Sequence, residues 1–193
     1  MSKTTVIIPT LNSEKYLRET LRSLKQNNKS IFKIFIIDAG SNDNTVKIIK
    51  EEKLKNLNFF LVKKNIAKSL DFGLSRLKTL YFSRIDSDDV AMKDRFKKQI
   101  YYLKKDKNLA AVGSNVLFVK DKSIIKKTDL PLSYESILTK FFVDGDIALA
   151  HPATSLRVQS VKNVGGYENY NFSEDYNLWI RLVFKKYKII NLA

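Results

Sequence analysis

Three carboxylates within four positions, Asp86, Asp88 and Asp89, close the run Tyr81-Phe-Ser-Arg-Ile-Asp-Ser-Asp-Asp-Val90. Acids that close repel one another unless a cation or hydrogen-bond donors neutralise them. Hard divalent cations such as Mg²⁺ and Mn²⁺ take oxygen ligands, often one or two carboxylates, with water and substrate phosphates filling the remaining positions. The apolar residues 80–82 just before them read as a short buried strand. An Asp-x-Asp at the carboxyl end of a strand therefore points to a metal-bridged nucleotide site. The competing reading is that Asp88 or Asp89 caps a helix beginning near Ala91. A cap explains one acid here, not three.

The surrounding pattern says what would hold these acids in place. Residues 4–8 are β-prone and bounded by Pro9, as a buried first strand would be. Asn12 or Ser13 can cap the helix that follows, which has Tyr16, Leu17, Leu21 and Leu24 at helical spacing. A second strand over residues 31–37 ends in the polar turn Asp38-Ala-Gly-Ser-Asn-Asp43, where Gly40 supplies backbone freedom. Asp43 is placed to cap the next helix, residues 45–53. Strands over 58–62 and 80–85 then alternate with helices over 66–77 and 93–105, which argues for parallel βαβ units. In such sheets ligands bind beyond the carboxyl ends of the strands. Asn12, Asp38, Asp43, Asp86 and Asp88 all fall at such ends.

From Leu109 the pattern changes. Residues 109–119 read as one long strand of a mixed sheet, and residues 120–127 as a basic, exposed hairpin or loop. A helix over 133–143, a strand over 154–158 and a short helix over 160–164 closed by Gly165 and Gly166 follow. Ser173 can cap a helix over 174–185, and residues 187–192 form a last strand. Neither a repeat nor a linker interrupts the 193 residues, so one domain is expected, with two lobes over about 1–108 and about 109–193.

Composition narrows the classes less than the motifs do. With 44% hydrophobic and 28% charged residues the chain is ordinary for a globular protein. It has no cysteine, which removes disulfides and thiolate metal sites. No apolar run approaches a membrane span or a signal-peptide core, so the expected address is the cytoplasm. The formal charge of +15 is spread over scattered lysines. It suits nucleic acid, an anionic membrane surface or phosphorylated substrates, or reflects solvated helix exteriors alone.

Taken together, Val6-Ile-Ile-Pro-Thr-Leu-Asn12, Ile37-Asp-Ala-Gly-Ser-Asn-Asp43, Arg84-Ile-Asp-Ser-Asp-Asp89, Val164-Gly-Gly-Tyr167 and Glu174-Asp-Tyr-Asn-Leu-Trp179 resemble the family 2 glycosyltransferases with the GT-A fold. Arg95 with Gln99, and His151-Pro152, resemble the bacterial branch that builds surface polysaccharides. The resemblance implies a Rossmann-like, mostly parallel central sheet flanked by helices, with a mixed-sheet acceptor half. It implies an inverting transfer of a sugar from a nucleotide diphosphate donor, uridine being favoured by family frequency, to an acceptor hydroxyl of a glycan or lipid-linked glycan. Mn²⁺ or Mg²⁺ would be the cofactor of this DXD motif. Asp86 would contact the nucleoside side and, with Asp88, the metal. Asp38 resembles the family's nucleotide-binding aspartate, with Pro9 and Asn12 shaping the pocket floor. Asp175 resembles the general base, which must lie within hydrogen-bond reach of the acceptor hydroxyl. At a helix N-terminus the dipole keeps such a carboxylate ionised, although acids at helix starts are common without any catalytic duty. Trp179 and Leu178 would pack that helix onto the sheet. Glu174 and His151 would lie on the acceptor side; a lone histidine beside proline is as readily structural. Arg84 would pair with Asp86 or reach a phosphate.

Three departures from the family pattern bear on these expectations. Ala39 stands where many relatives carry a second acid. Asn65-Ile-Ala-Lys68 lacks a glycine found in relatives, so Lys68 is expected to take over part of the donor contact. Relatives run well past the Trp179 helix, so segments that cover the acceptor or bind membrane are expected to be missing. An inactive donor-binding lobe, a nucleic-acid-binding protein and a nucleotidyltransferase are the alternatives. No reading helix or aromatic stacking strand supports nucleic acid, and Pro9-Thr-Leu-Asn-Ser13 lacks the Gly-rich basic loop of a nucleotidyltransferase. No nucleic-acid partner is expected.

Overall fold

Val6, Ile7 and Ile8 of strand β1 (Thr4–Thr10) are fully buried on both faces. A parallel strand covered by helices on both sides requires this. Ile7 joins a core with Leu70 and Leu74 of helix α3 (Ile66–Ser75) and Leu178 and Trp179 of helix α7 (Glu174–Phe184). Val6 and Ile8 join a second core with Leu17, Leu21 and Leu24 of helix α1 (Leu17–Gln26) and Ile48 and Ile49 of helix α2 (Thr45–Glu51). The computed structural model describes residues 3–62, 65–121, 123–168 and 173–193.

Strands β2 (Ile31–Asp38), β3 (Leu57–Leu61) and β4 (Tyr81–Arg84) surround β1 in parallel, as the alternation of strands and helices foretold. Helix α4 (Arg95–Lys105) leads to β5 (Leu109–Ser114), and the C-terminal half adds helix α5 (Tyr134–Phe142), β8 (Ser155–Arg157), α6 (Val158–Asn163) and β9 (Lys188–Leu192). A separate antiparallel hairpin, β6 (Leu117–Lys120) with β7 (Ser123–Lys127), stands between β5 and α5. The seven-stranded sheet has the order β3-β2-β1-β4-β8-β5-β9, with β8 antiparallel to both neighbours. Strands of both halves therefore share one sheet.

The structure corrects several local expectations. Helix α4 begins at Arg95 behind Asp94, a left-handed residue at φ 61°, so neither Asp88 nor Asp89 caps it. Neither Asn12 nor Ser13 caps α1 by a side chain: Asn12 is itself left-handed at φ 49°, and the Ser13 carbonyl starts the turn instead. Ser173 precedes α7 without a side-chain cap. Leu80 is 71% exposed, and burial begins only at Tyr81. The expected long strand over 109–119 divides, because Asn115 and Val116 turn away to hydrogen-bond Thr128 and Leu130. Ser133 caps α5 through Ser136 N–H, and Asn65 caps α3 through Lys68 N–H.

Candidate active site

The carboxylate of Asp38, wholly buried at the end of β2, is saturated by its own turn. Oδ1 accepts from the Gly40 and Ser41 N–H groups at 3.0 and 2.8 Å. Oδ2 accepts from Ser41 Oγ at 2.6 Å and Thr10 Oγ1 at 3.1 Å. The turn is tied to the loop after β1: Asn12 N–H donates to Ser41 Oγ, while Asn12 Oδ1 accepts from Asn42 N–H. Asp43 binds Thr45 N–H at the start of α2 and reaches back to Glu14 N–H. Ser13 carries the connection onward, with its Oγ 2.8 Å from Ser87 Oγ inside the acidic loop. Thr20 of α1 donates to the Ser87 carbonyl from the other side. The loop after β1 thus holds the tips of β2 and β4 together. Pro9 is half-buried in β1, and Lys68 is exposed in the first turn of α3.

The acidic loop itself is undersaturated. Asp86 forms an ion pair with Arg84, whose guanidinium is 2% exposed and whose Nε has no partner. Asp88 is exposed and Asp89 half-buried. Burial, and then the charges of Asp86 and Asp88, push the Asp89 carboxyl up to about 6. Its opposing cation is Arg95, itself brought down to about 10 by burial. Two hard carboxylates with excess negative charge beside them fit a divalent cation completed by phosphate oxygens. Among the described residues no group of three or more metal-ligating side chains is assembled.

Across the sheet edge stand His151, Tyr167, Glu174 and Asp175. His151, in the short 3₁₀ turn His151–Ala153, is 4% exposed and meets Tyr167 Oη through Nε2 at 3.0 Å. Its ring packs edge-on against Trp179. Burial, helped by the Arg84 charge, holds its pKa well below 6.5, so the imidazole is neutral. Tyr167 rises by burial, against the pull of Arg84. Its N–H is held by Asp71 Oδ1 of α3 at 3.3 Å. Gly166 before it sits at φ 75°, and a Cβ there would fall 2.3 Å from the same Asp71 oxygen, so glycine is required. Glu174 is raised first by burial and also by the charges of Asp175 and Asp86, with Arg84 opposing. The acids of α7 and of the β4 loop therefore share one electrostatic field, centred on Arg84. Asp175 accepts from the Tyr176 N–H in the first turn of α7.

Sequence reasoning missed what joins these two walls. Arg95 donates to the Arg84 carbonyl at 2.7 Å and toward Gln99 Oε1 at 3.4 Å. Gln99 Nε2 donates to the Ala153 carbonyl and Gln99 Oε1 accepts from Ser155 Oγ, both at 2.7 Å. A buried relay thereby fixes the acidic loop against the His151 turn. The only sequence signal for it was the Arg95/Gln99 spacing. Two surface concavities of about 530 and 790 Å³ lie elsewhere, one between α1 and α2 and one between α4 and β9; neither includes an acidic-loop residue. The candidate site is the stretch of sheet edge between the acidic loop and the His151 turn.

Residues 5–165 match the family model described as glycosyl transferase family 2. The chain belongs to that family. An uncharacterized glycosyltransferase of Methanocaldococcus jannaschii is 28% identical over 191 residues, 95% of this chain and 65% of its own length. The amylovoran biosynthesis glycosyltransferase AmsE of Erwinia amylovora is 28% identical over 97% of this chain and 72% of its own. A UDP-Gal:alpha-D-GlcNAc-diphosphoundecaprenol beta-1,3-galactosyltransferase of Escherichia coli is 29% identical over 88% of this chain and 63% of its own. The chain thus spans about two thirds of these relatives. Among solved structures, S. aureus TarS 1–349 in complex with UDP-GlcNAc superposes at a TM-score of 0.76 with 22% identity, covering 98% of this chain and 56% of that one. The mannosyltransferase PcManGT of Pyrobaculum calidifontis, in complex with GDP-Man and Mn²⁺, superposes at 0.75 with 15% identity over 99% of this chain and 55% of that one. These likenesses establish the GT-A architecture of the family 2 chain.

Proposed function

We propose that this family 2 chain is an inverting glycosyltransferase that moves a sugar from a UDP-linked donor to a hydroxyl of a growing, lipid-linked glycan. The observation that carries the reading is that Asp86, paired with Arg84 beyond the tip of β4, lies near enough to Glu174 at the start of α7 for its charge to help raise that carboxyl. TarS was captured with UDP-GlcNAc, and the E. coli relative is named for a UDP-Gal donor and a diphosphoundecaprenol-linked acceptor; both support donor and acceptor class.

Asp86 and Asp88 are the residues that would hold the cation, and PcManGT with Mn²⁺ supports Mn²⁺ or Mg²⁺ there. A divalent ion in that position supplies charge neutralisation for the departing diphosphate. The chain's own residues do the rest. Asp38 fixes the β2 turn that, with Pro9, Asn12 and Ser13, forms the donor floor. Lys68 adds a cation to the donor side, and Arg84 restrains Asp86. Asp175, in the first turn of α7, takes the proton from the acceptor hydroxyl. Glu174 and the neutral His151–Tyr167 pair line the acceptor side. No helix among the described residues is long and apolar enough to cross a membrane. A cytoplasmic position, peripheral at the membrane's inner face, suits such an acceptor.

Thermal shift against UDP-GlcNAc, UDP-Gal and GDP-mannose, with and without Mn²⁺, tests the reading. The midpoint should rise for one donor only when metal is present, and Asp88→Ala should abolish the rise. No response to any donor under either condition would overturn it. The inactive-lobe alternative predicts equal, absent transfer for the unmodified chain and Asp175→Asn.

A further inference from the structure

The β6–β7 hairpin follows β5 off the sheet, and nothing among the described residues buries it. Its stem is rigidly fixed: Val116 and Thr128 exchange hydrogen bonds at 2.8 and 2.9 Å, and Asn115 Oδ1 accepts from Thr128 Oγ1 and Leu130 N–H. Beyond that stem β7 is exposed throughout and β6 is exposed from Phe118 onward. Phe118 is 48% exposed, Val119 58%, and Ile124 and Ile125 64% each. Val119 pairs directly with Ile124 across the hairpin. A two-stranded ribbon in water is marginal by itself, and large exposed apolar patches mark interaction surfaces. Lys120, Lys126 and Lys127 interleave with these side chains, against one acid, Asp121.

We infer that this hairpin is a docking surface for an anionic lipid bilayer, with Phe118, Val119, Ile124 and Ile125 entering the interface and the three lysines at the headgroup phosphates. Charge complementarity selects the occupant. Lysines on both free strands repel an identical hairpin, the usual protection of an exposed edge, so a second copy is disfavoured. A nucleic acid would meet the lysines but leave the four apolar side chains in water. A bilayer interface takes both kinds, apolar groups below and cations at the level of anionic lipids. The position also suits it. Because β8 is antiparallel to both β4 and β5, β5 runs in the same direction as β4. The hairpin therefore leaves the same sheet edge as Asp86, so a docked bilayer lies at the end of the sheet that carries the acidic loop. The inference rests on the lipid-linked acceptor reading for its purpose, though vesicle binding itself is read without donor or acceptor.

The test is co-sedimentation of the full chain with vesicles of phosphatidylcholine alone or mixed with phosphatidylglycerol. Binding is expected only to the mixed vesicles and should weaken with added salt. Lys126→Glu with Lys127→Glu should weaken it by about tenfold or more. Ile124→Ser with Ile125→Ser should do likewise, while the thermal midpoint and the Mn²⁺-dependent response to the one donor of UDP-GlcNAc, UDP-Gal and GDP-mannose that raises it stay unchanged. A Phe118→Trp variant gives an independent reading, since its emission should shift blue on mixed vesicles alone. Equal binding to neutral vesicles, binding untouched by both double variants, no binding, or a dimer in solution that the isoleucine variant splits would each overturn the assignment. If the unmodified chain binds no vesicles yet keeps its donor response, the hairpin inference falls and the transferase reading stands; if it binds mixed vesicles but answers no donor, the transferase reading alone falls.

Discussion

Two acidic strand tips on one sheet edge are built in opposite ways. At β2, Asp38 is buried and meets four donors from its own turn and from Thr10. At β4, Asp86, Asp88 and Asp89 share the cations Arg84 and Arg95, and Asp89 remains pushed up to about 6. A saturated carboxylate is a structural strut, because every lone pair already has a partner. An undersaturated cluster stores repulsion that a bound cation would relieve. The difference separates a tip whose donors are already used from a tip that, on the proposed reading, would hold the ligand.

That contrast can be broken by substitution. The largest effect is expected on chemistry: Asp175→Asn should lower transfer by about 10²–10⁴-fold, the range for a lost general base, while the donor-dependent thermal shift persists. Loss of both together would make α7 a structural element of the donor site. Next, Asp38→Ala should destabilise the fold by about 3 kcal/mol, since buried donors at Gly40, Ser41 and Thr10 lose their acceptor; urea unfolding measures it. A cost below about 0.5 kcal/mol would erase the distinction drawn between the two tips.

The acid limb of stability sharpens the comparison further. His151 is held neutral well below its usual 6.5. The unfolded chain then binds a proton that the folded chain refuses, so stability falls as pH drops below 6.5, by up to about 1.4 kcal/mol per pH unit. Asp89 acts oppositely: between 3.8 and about 6 the folded chain holds the proton, and stability falls as pH rises through that window. Urea titrations of the unmodified chain and His151→Asn at pH 7 and pH 5 isolate the first contribution, and the variant should show the smaller acid loss. The smallest effect belongs to Asp88→Asn, which should leave the metal-free midpoint within about 2 °C. A fall larger than that would mean Asp88 already has a structural partner.

Much of this site was legible along the chain. Asp38 and Asp86 were found because an apolar β-prone run that ends abruptly in acid marks a strand's carboxyl tip, and a parallel sheet puts such tips on one edge. Helix starts were read less well. A type-by-type reading offers Asn12 or Ser13 for α1 and Asp88 or Asp89 for α4, but Asn12 is left-handed and caps neither helix, and the left-handed Asp94 precedes α4 instead. The relay from Arg95 through Gln99 to Ala153 and Ser155 joins residues 54 and 56 positions apart, beyond any local pattern.

The order of residues alone determined the spacing of the acids, the alternation of strands and helices and the absence of thiol chemistry, because periodicity and residue type act over a few neighbouring positions. Tertiary structure decided which carboxylates are neutralised and by whom. Thr10 reaches Asp38 from 28 residues away, Ser13 reaches Ser87 from 74, and Asp71 reaches Tyr167 from 96. Hydrogen-bond saturation, burial and the field of Arg84 exist only once those distant segments meet.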